Sequence, residues 1–523
     1  MLPRAVASPR LESLIAGFAA VAAVVGFLLG ISTIGRLPNH AGFFLVAFED
    51  RIEAPLPSRP RHAVLIVVDG LRRDAALSMK VTRRLLEHGQ CRVSHQGELT
   101  ISRPVYTLLS SGVEVDRTGV RNNDLTTPAP VESVFEVARE DGRRVHGSSH
   151  LPWFRELFPA GFDQYRLGQS YAEDLFKDPD LVELNLFHPL YVDEAGHHYG
   201  GISSEYAQAV ARADAEVSSL LDRLDFERDL VIFTADHGHT DSGGHGGAQP
   251  EVADVLACFA GLNVRHTAAL GRMDGRVTAP LLAVLSGLRM PKHLRAVEDD
   301  LDVIEEIADF SHAPAYAEDR RKAVAAARAR NQAWLAERGH HGPFAWTGFY
   351  AEQRRLQLVR GGGVALFGLL LFALSQRLRR ASLKELLFTV LFVGLAALIV
   401  ASVHRLVLGP FNYDVINLRS RFIPRALFIA GAAALMAVAA HALIARDKHR
   451  LLLDHATFLA LSLLLAVGHC IVYGWQMGFP LPSAAELYAP FLLAFVVVSN
   501  ALVSLGLVVS MKLGRRKAAI PTT

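Results

Sequence analysis

The sequence predicts an α/β domain on a central, mostly parallel sheet, joined to a bundle of membrane-spanning helices. Three observations predict it. Residues 60–290 alternate short apolar segments with helical stretches, the pattern of strands linked by crossover helices. The run 62–69, HAVLIVVD, is apolar without alternation, as a strand buried on both faces requires. Finally, 51% of the 523 residues are hydrophobic while 20% are charged. That mixture is too apolar for an ordinary soluble domain and too charged for a wholly membrane-embedded one.

The membrane elements are read from length and flanking charge. Residues 12–34 form an apolar run preceded by Arg4 and Arg10, long enough at ~20 residues to cross a bilayer. No small-x-small cleavage site follows it, so it reads as an uncleaved anchor. Five further runs lie near 359–376, 386–403, 426–445, 456–475 and 489–511. Basic clusters at 377–384, 446–450 and 512–517 fall on the side of Arg4 and Arg10, which the positive-inside rule makes cytoplasmic. The exception is 404–425, with four arginines on the outer side; these read as snorkelling to lipid phosphates. The expected organisation is an N-terminal anchor over 1–35, an extracytoplasmic domain over 36–296, a helical connector over 297–357, a five-span bundle over 358–511 and a cytoplasmic tail over 512–523. Six spans would place 35–358 outside the cytoplasm, in a periplasm, at a cell exterior or in the equivalent of an endoplasmic reticulum lumen.

Composition narrows the chemistry. A net charge of +2 gives no bulk electrostatic basis for nucleic-acid binding. The three cysteines, Cys91, Cys258 and Cys470, contain no CxxC pair. Thiolate zinc sites and a disulfide framework are therefore not expected, and two distant cysteines do not define a pair.

Four segments carry ligand-type side chains. Asp69-Gly70 ends the apolar run at 62–69, and ligands in open α/β sheets collect beyond the carboxyl ends of strands. Alone it also reads as a simple turn. In 100–112, TISRPVYTLLSSG, Ser102 precedes a helix-like run; it is either a cap or a nucleophile beside helix amides, with Thr100 as the rival. In 188–201, HPLYVDEAGHHYGG, an apolar stretch ends at Asp193, and a bend at Gly196 would turn Asp193 and His197 toward one point. Glu194 and His198 compete there. In 234–247, TADHGHTDSGGHGG, Asp236 and His237 follow the apolar LVIF and His245 follows the glycines. Converging carboxylates repel without cations, and carboxylates with imidazoles suit zinc in a two-metal site.

These strings, in this order, resemble the alkaline phosphatase superfamily. Within it they are most similar to the GPI ethanolamine phosphate transferases of the first-mannose type. SRPVYTLLSSG resembles that family's Ser-Arg-Pro nucleophile segment, and DHGHTDSGGHGG its Asp-His-Gly-Met-Thr-Asp-x-Gly-x-His-Gly segment, with His239 where methionine is usual. The resemblance implies an alkaline-phosphatase-like sandwich and two divalent metal ions, zinc expected. One metal would take Asp193, His197 and His245; the other Asp69, Ser102, Asp236 and His237. Asn123, 21 residues after Ser102, stands at a phosphate-binding asparagine's place. Ser102 would take phosphoethanolamine from a phospholipid donor, phosphatidylethanolamine, and pass it to a hydroxyl of a lipid-linked glycan.

Three other readings compete. A membrane-tethered phosphodiesterase or phosphatase would use water as acceptor. A sulfatase-like hydrolase is disfavoured, because Tyr106 stands where that family's nucleophile motif has arginine. A transporter or anchor with a degenerate domain predicts missing ligands, whereas every Asp and His position and the hydroxyl are filled.

Overall fold

Strand β1 (Ala63–Val67) is the AVLIV run, buried along its whole length. Its side chains alternate between two cores. Ala63, Leu65 and Val67 enter one, and Val64 and Ile66 the other, which Val68 continues beyond the strand. The computed structural model thus places β1 inside a sheet covered on both faces. It describes residues 9–36 and 59–342, apart from 98, 115–117, 119, 121–122, 124–126 and 293–297, and scattered positions between 352 and 512. The five C-terminal runs lie outside the described residues except at those positions.

The other strands are β2 (Gly89–His95), β3 (Val145–Ser149), β4 (Gln164–Leu167), β5 (Leu184–His188), β6 (Leu230–Thr234), β7 (Asp254–Gly261) and β8 (Gly271–Asp274). Their order across the sheet is β4-β3-β5-β1-β6-β7-β2-β8. Only β7 is antiparallel to its neighbours, β6 and β2; the remaining pairs are parallel. Two reversals cancel, so β2 runs in the direction of β1, β5 and β6. All four deliver their carboxyl ends to one edge.

Helices cover both faces. The helices at Ser102–Ser111, Val134–Glu140, Trp153–Leu157 and Thr278–Leu285 bury Val105, Phe135, Phe154 and Leu281 in the first core. Those at Lys80–Glu87, Tyr191–Tyr199 and Ser204–Leu221 bury Leu85, Val192 and Val217 in the second. Local rules fix several starts. Ser133 and Glu136 form a reciprocal capping box, satisfying two otherwise orphaned amides. Ser203 caps the 18-residue helix, whose buried Tyr206, Val210, Ala213, Val217 and Leu220 repeat at helical spacing. The boundary expected at 296/297 lies outside the described residues; beyond it, Ile304 and Ile307 join the first core.

The cysteines correct the sequence reading. Cys91 and Cys258 face each other across β2 and β7 and form a disulfide over a separation of 167 residues. Their pairing depends on β7 lying between β6 and β2, which no local pattern announces.

The chain divides into two compact units, one of Met1–Leu37 with Glu352–Asn412 and Leu418–Thr523, the other of Pro38–Ala351 with Tyr413–Asn417. In the first, a 28-residue helix, Pro9–Arg36, contains the run 12–34. Ala19 and Ala22 on it are buried with Leu459, Val497 and Ala501. Some residues of this helix fall outside the description, and among the described residues no helix is long and apolar enough to cross a membrane.

Replacing Cys91 and Cys258 with serine is expected to cost about 2–5 kcal/mol, measured by chemical unfolding. Equal stability with and without the pair would show that the bond contributes nothing.

Candidate metal centre

The parallel edge gathers the candidate residues. β5, β1 and β6 are adjacent. Asp69 lies two residues beyond β1, and Asp236 and His237 lie just beyond β6. Asp193 and His197 sit in the helix Tyr191–Tyr199, three residues beyond β5. That helix corrects the expected bend at Gly196. The segment is continuous helix through Gly196, and Asp193 and His197 meet because they are four residues apart on one face. β2 leads to Ser102, the first residue of its helix. Gly70 is required where these elements close: its φ is +71°, and a Cβ would stand 2.7 Å from the Asp193 backbone.

Two clusters result. In one, His237 Nε2 lies 3.0 Å from Asp236 Oδ2 and 3.5 Å from Asp69 Oδ1, with Ser102 Oγ 3.4 Å away. In the other, His197 Nε2 lies 3.1 Å from His245 Nε2 and 3.4 Å from Asp193 Oδ2. Asp193 Oδ1 is 3.7 Å from His245 Nε2. The His237 and His245 rings stack at 3.5 Å, so the clusters share a wall.

Hydrogen bonding sorts the imidazoles. His245 Nδ1 donates to Thr100 O at 2.7 Å, and His237 Nδ1 donates to Gly238 O at 3.2 Å. Each carbonyl fixes the proton on Nδ1 and leaves an Nε2 lone pair for a cation. His239 is the reverse case. Its Nδ1 accepts from the Gly244 amide at 3.1 Å, and its Nε2 faces Asp193 Oδ1 at 2.9 Å.

Asp69 is held by two groups that sequence reasoning did not assign to the site. The Tyr106 hydroxyl and His188 Nε2 both donate to its Oδ2, and Ser149 supports His188 at 2.8 Å. The available signal for His188 was a histidine closing the apolar run LNLFH. Burial, with neighbouring His150 and His237, pushes its imidazole down to about 3 against the pull of Asp236 and Asp193. It is therefore a neutral donor.

The donor set fits metal ions. Asp69 Oδ1 and Asp236 Oδ2 are buried and accept no hydrogen bond, although buried polar atoms are ordinarily paired. Burial, then the charges of Asp236 and Asp193, hold the Asp69 carboxyl well above its usual range. Burial opposes ionisation of Asp193 too, but His197, His239 and His245 outweigh it and hold that carboxyl well below its usual range. One cluster is rich in carboxylate oxygen and the other in imidazole nitrogen, both zinc donors. Two nitrogens on one tetrahedral zinc lie ~3.3 Å apart, close to the His197–His245 separation.

The remaining candidates separate clearly. The Thr100 hydroxyl donates to Gly247 O at 2.7 Å and accepts from the Gly246 amide; it pins the His245 loop, whereas Ser102 faces His237. Asn123 Oδ1 accepts from the Arg103 amide at 3.0 Å, which brings its side chain beside Ser102. Asp241 accepts from Arg72, which also donates to His239 O. Glu194 and His198 pair with each other at 3.4 Å, with His198 largely exposed.

The chain is similar in sequence to known proteins. Residues 153–249 match the family model described as type I phosphodiesterase / nucleotide pyrophosphatase. GPI ethanolamine phosphate transferase 1 of Gibberella zeae is 28% identical over 291 residues, covering 45% of this chain and 29% of that protein. The catalytic subunit of GPI ethanolamine phosphate transferase 3 of Mus musculus is 25% identical over 279 residues, covering 45% and 25%. The matches thus span only about a quarter to a third of these relatives' length. Murine ectonucleotide pyrophosphatase / phosphodiesterase 5 aligns at 13% identity with a TM-score of 0.40, over 47% of this chain and 100% of that chain. By sequence the chain is similar to phosphodiesterases and to phosphoethanolamine transferases, which are enzymes.

A carboxyl whose folded pKa is raised costs stability as pH climbs above its unfolded value of about 3.9. Stripped of metal, the Asp69→Asn protein should therefore unfold at a higher temperature than the wild type at pH 7, by on the order of 1 kcal/mol. The gap should shrink toward pH 4, and divalent metal should reverse the order. Thermal melts with and without chelator measure it; identical metal-free melts would rule out the strain assigned to Asp69.

Proposed function

From that kinship we propose that the chain is a membrane-bound, two-metal phosphotransferase that moves phosphoethanolamine from a phospholipid through a covalent Ser102 intermediate to a hydroxyl acceptor. The observation that carries it is Ser102 Oγ, 3.4 Å from His237 Nε2 at the start of a helix and beside the Asp69–Asp236–His237 cluster. Asp69, Asp236 and His237, with Ser102, would hold one divalent ion, expected to be zinc; Asp193, His197 and His245 would hold the other. Such ions supply charge that favours the ionised serine and acceptor hydroxyls and the developing phosphoryl charge.

The chain's own groups do the rest. The buried Ser102 hydroxyl attacks phosphorus and forms a serine–phosphorus ester. The bond from phosphorus to the diacylglycerol oxygen breaks, and that oxygen leaves with a proton. An acceptor hydroxyl then attacks the same phosphorus, and the Ser102 bond breaks to restore the enzyme. With its Oδ1 engaged by Arg103, Asn123 has its Nδ2 to offer a phosphoryl oxygen.

The relatives described above are GPI ethanolamine phosphate transferases, which supports a phosphoethanolamine donor and a lipid-linked glycan acceptor. The Cys91–Cys258 bond supports a domain outside the cytoplasm, because disulfides persist in oxidising compartments. The apolar runs would keep donor and acceptor within reach. The phosphodiesterase match favours a second reading, in which water accepts the group after an identical first step.

Ser102→Ala is expected to lower turnover by roughly 10³-fold or more and to abolish a +phosphoethanolamine adduct at Ser102 in the trapped enzyme. Thr100→Ala should retain that adduct. An adduct on Thr100, or full activity of Ser102→Ala, would overturn the serine mechanism. Lipid mass spectrometry of cells with and without the protein distinguishes the acceptors: no glycan gaining phosphoethanolamine would leave water.

A further inference from the structure

His239 lies among potential ligands without the character of one. It is buried, and Asp193, His197 and His239 lie close enough to form a candidate metal group of their own. Its hydrogen bonds decide its role. The Gly244 amide donates to Nδ1, so the neutral ring carries its proton on Nε2. That proton points at Asp193 Oδ1, 2.9 Å away. No Nε2 lone pair is left for a cation, unlike His237 and His245, whose Nδ1 atoms meet carbonyls.

We propose that His239 is a positioning residue. Resting on the two-metal reading above, it donates a hydrogen bond to Asp193 Oδ1, fixing the carboxylate so that Oδ2 is presented toward His197. The surroundings are shaped for this ring. Gly196 lies in the interior of a helix, where glycine ordinarily weakens the element. A Cβ there would stand 2.3 Å from His239 Cδ2 and 2.4 Å from Nε2. A Cβ on Gly70 would stand 2.9 Å from the same Nε2. Arg72 holds the other end of the residue through its carbonyl. A ring seated between two glycines and clamped at both nitrogens has one orientation.

Hydrogen-bonded partners of metal ligands typically set affinity by 10- to 100-fold. The test uses the full-length protein, with Zn2+ titrated against a chelator so that the two ions are resolved. His239→Ala and His239→Met should weaken one of the two ions by that factor and leave the other unchanged. His239→Gln, which can place an amide N–H near the same point, should recover much of the loss. Gly196→Ala should weaken the same ion by displacing the ring, yet add no further loss in the His239→Ala background, where there is room for the methyl. Wild-type affinity for both ions in His239→Ala overturns the proposal. So does complete loss of one ion that His239→Gln fails to restore, which would make His239 a ligand. Thermal melts of the chelated variants separate misfolding from lost affinity; a variant that does not fold passes the test to Gly196→Ala and the double variant. Failure of the wild type to bind two ions instead overturns the two-metal reading.

Discussion

Three aspartates, Asp69, Asp193 and Asp236, are buried within one small volume, and negative charge there is tolerable only beside compensating positive charge. That constraint organises the parallel edge. Three adjacent strands bring the carboxylates together, and the glycine at 70 lets two of their loops touch. Imidazoles from the helix after β5 and the loop after β6 supply the partners. Burial raises Asp69 while three histidines hold Asp193 ionised. The edge is asymmetric for that reason: one cluster is left with excess carboxylate, the other with excess imidazole.

The groups behind the candidate ligands are as specific as those residues. Asp69 gives one oxygen to Tyr106 and His188, so its other oxygen is directed inward. His245 is oriented by the Thr100 carbonyl, and the same residue's hydroxyl ties down the loop that follows. The segment TADHGHTDSGGHGG therefore holds three histidines in two tautomeric classes, set by whether a carbonyl or an amide faces Nδ1.

Much of this was legible in the sequence because each candidate lies within a few residues of a strand end or a helix start. HAVLIVVD announced a strand buried on both faces, and the DHG segment announced the edge it shares. What was missed depends on distant partners. The helix over 191–199 was hidden by the apolar Leu-Tyr-Val before Asp193, which reads equally as a strand. Thr100 and Ser102 differ in that the Gly246–Gly247 backbone engages the Thr100 hydroxyl, a contact no local pattern announces. His188 is a lone histidine until Asp69 is placed beside it, and Cys91 finds Cys258 only after β7 is inserted in reverse.

The position of β2 carries a consequence for the order of assembly. Its partners in the sheet are β7 and β8, both later in the chain. As the polypeptide is made, β1, β5 and β6 can pair with one another while β2 has no strand to join. β2 is therefore fixed in the sheet only after residues 254–261 have emerged. The disulfide then secures that arrival, enclosing in one covalent ring every candidate ligand except Asp69. The carboxylates of Asp69 and Asp236 can thus meet beyond β1 and β6 before the segment after β2, which carries both Ser102 and the Thr100 carbonyl that orients His245, is locked in place.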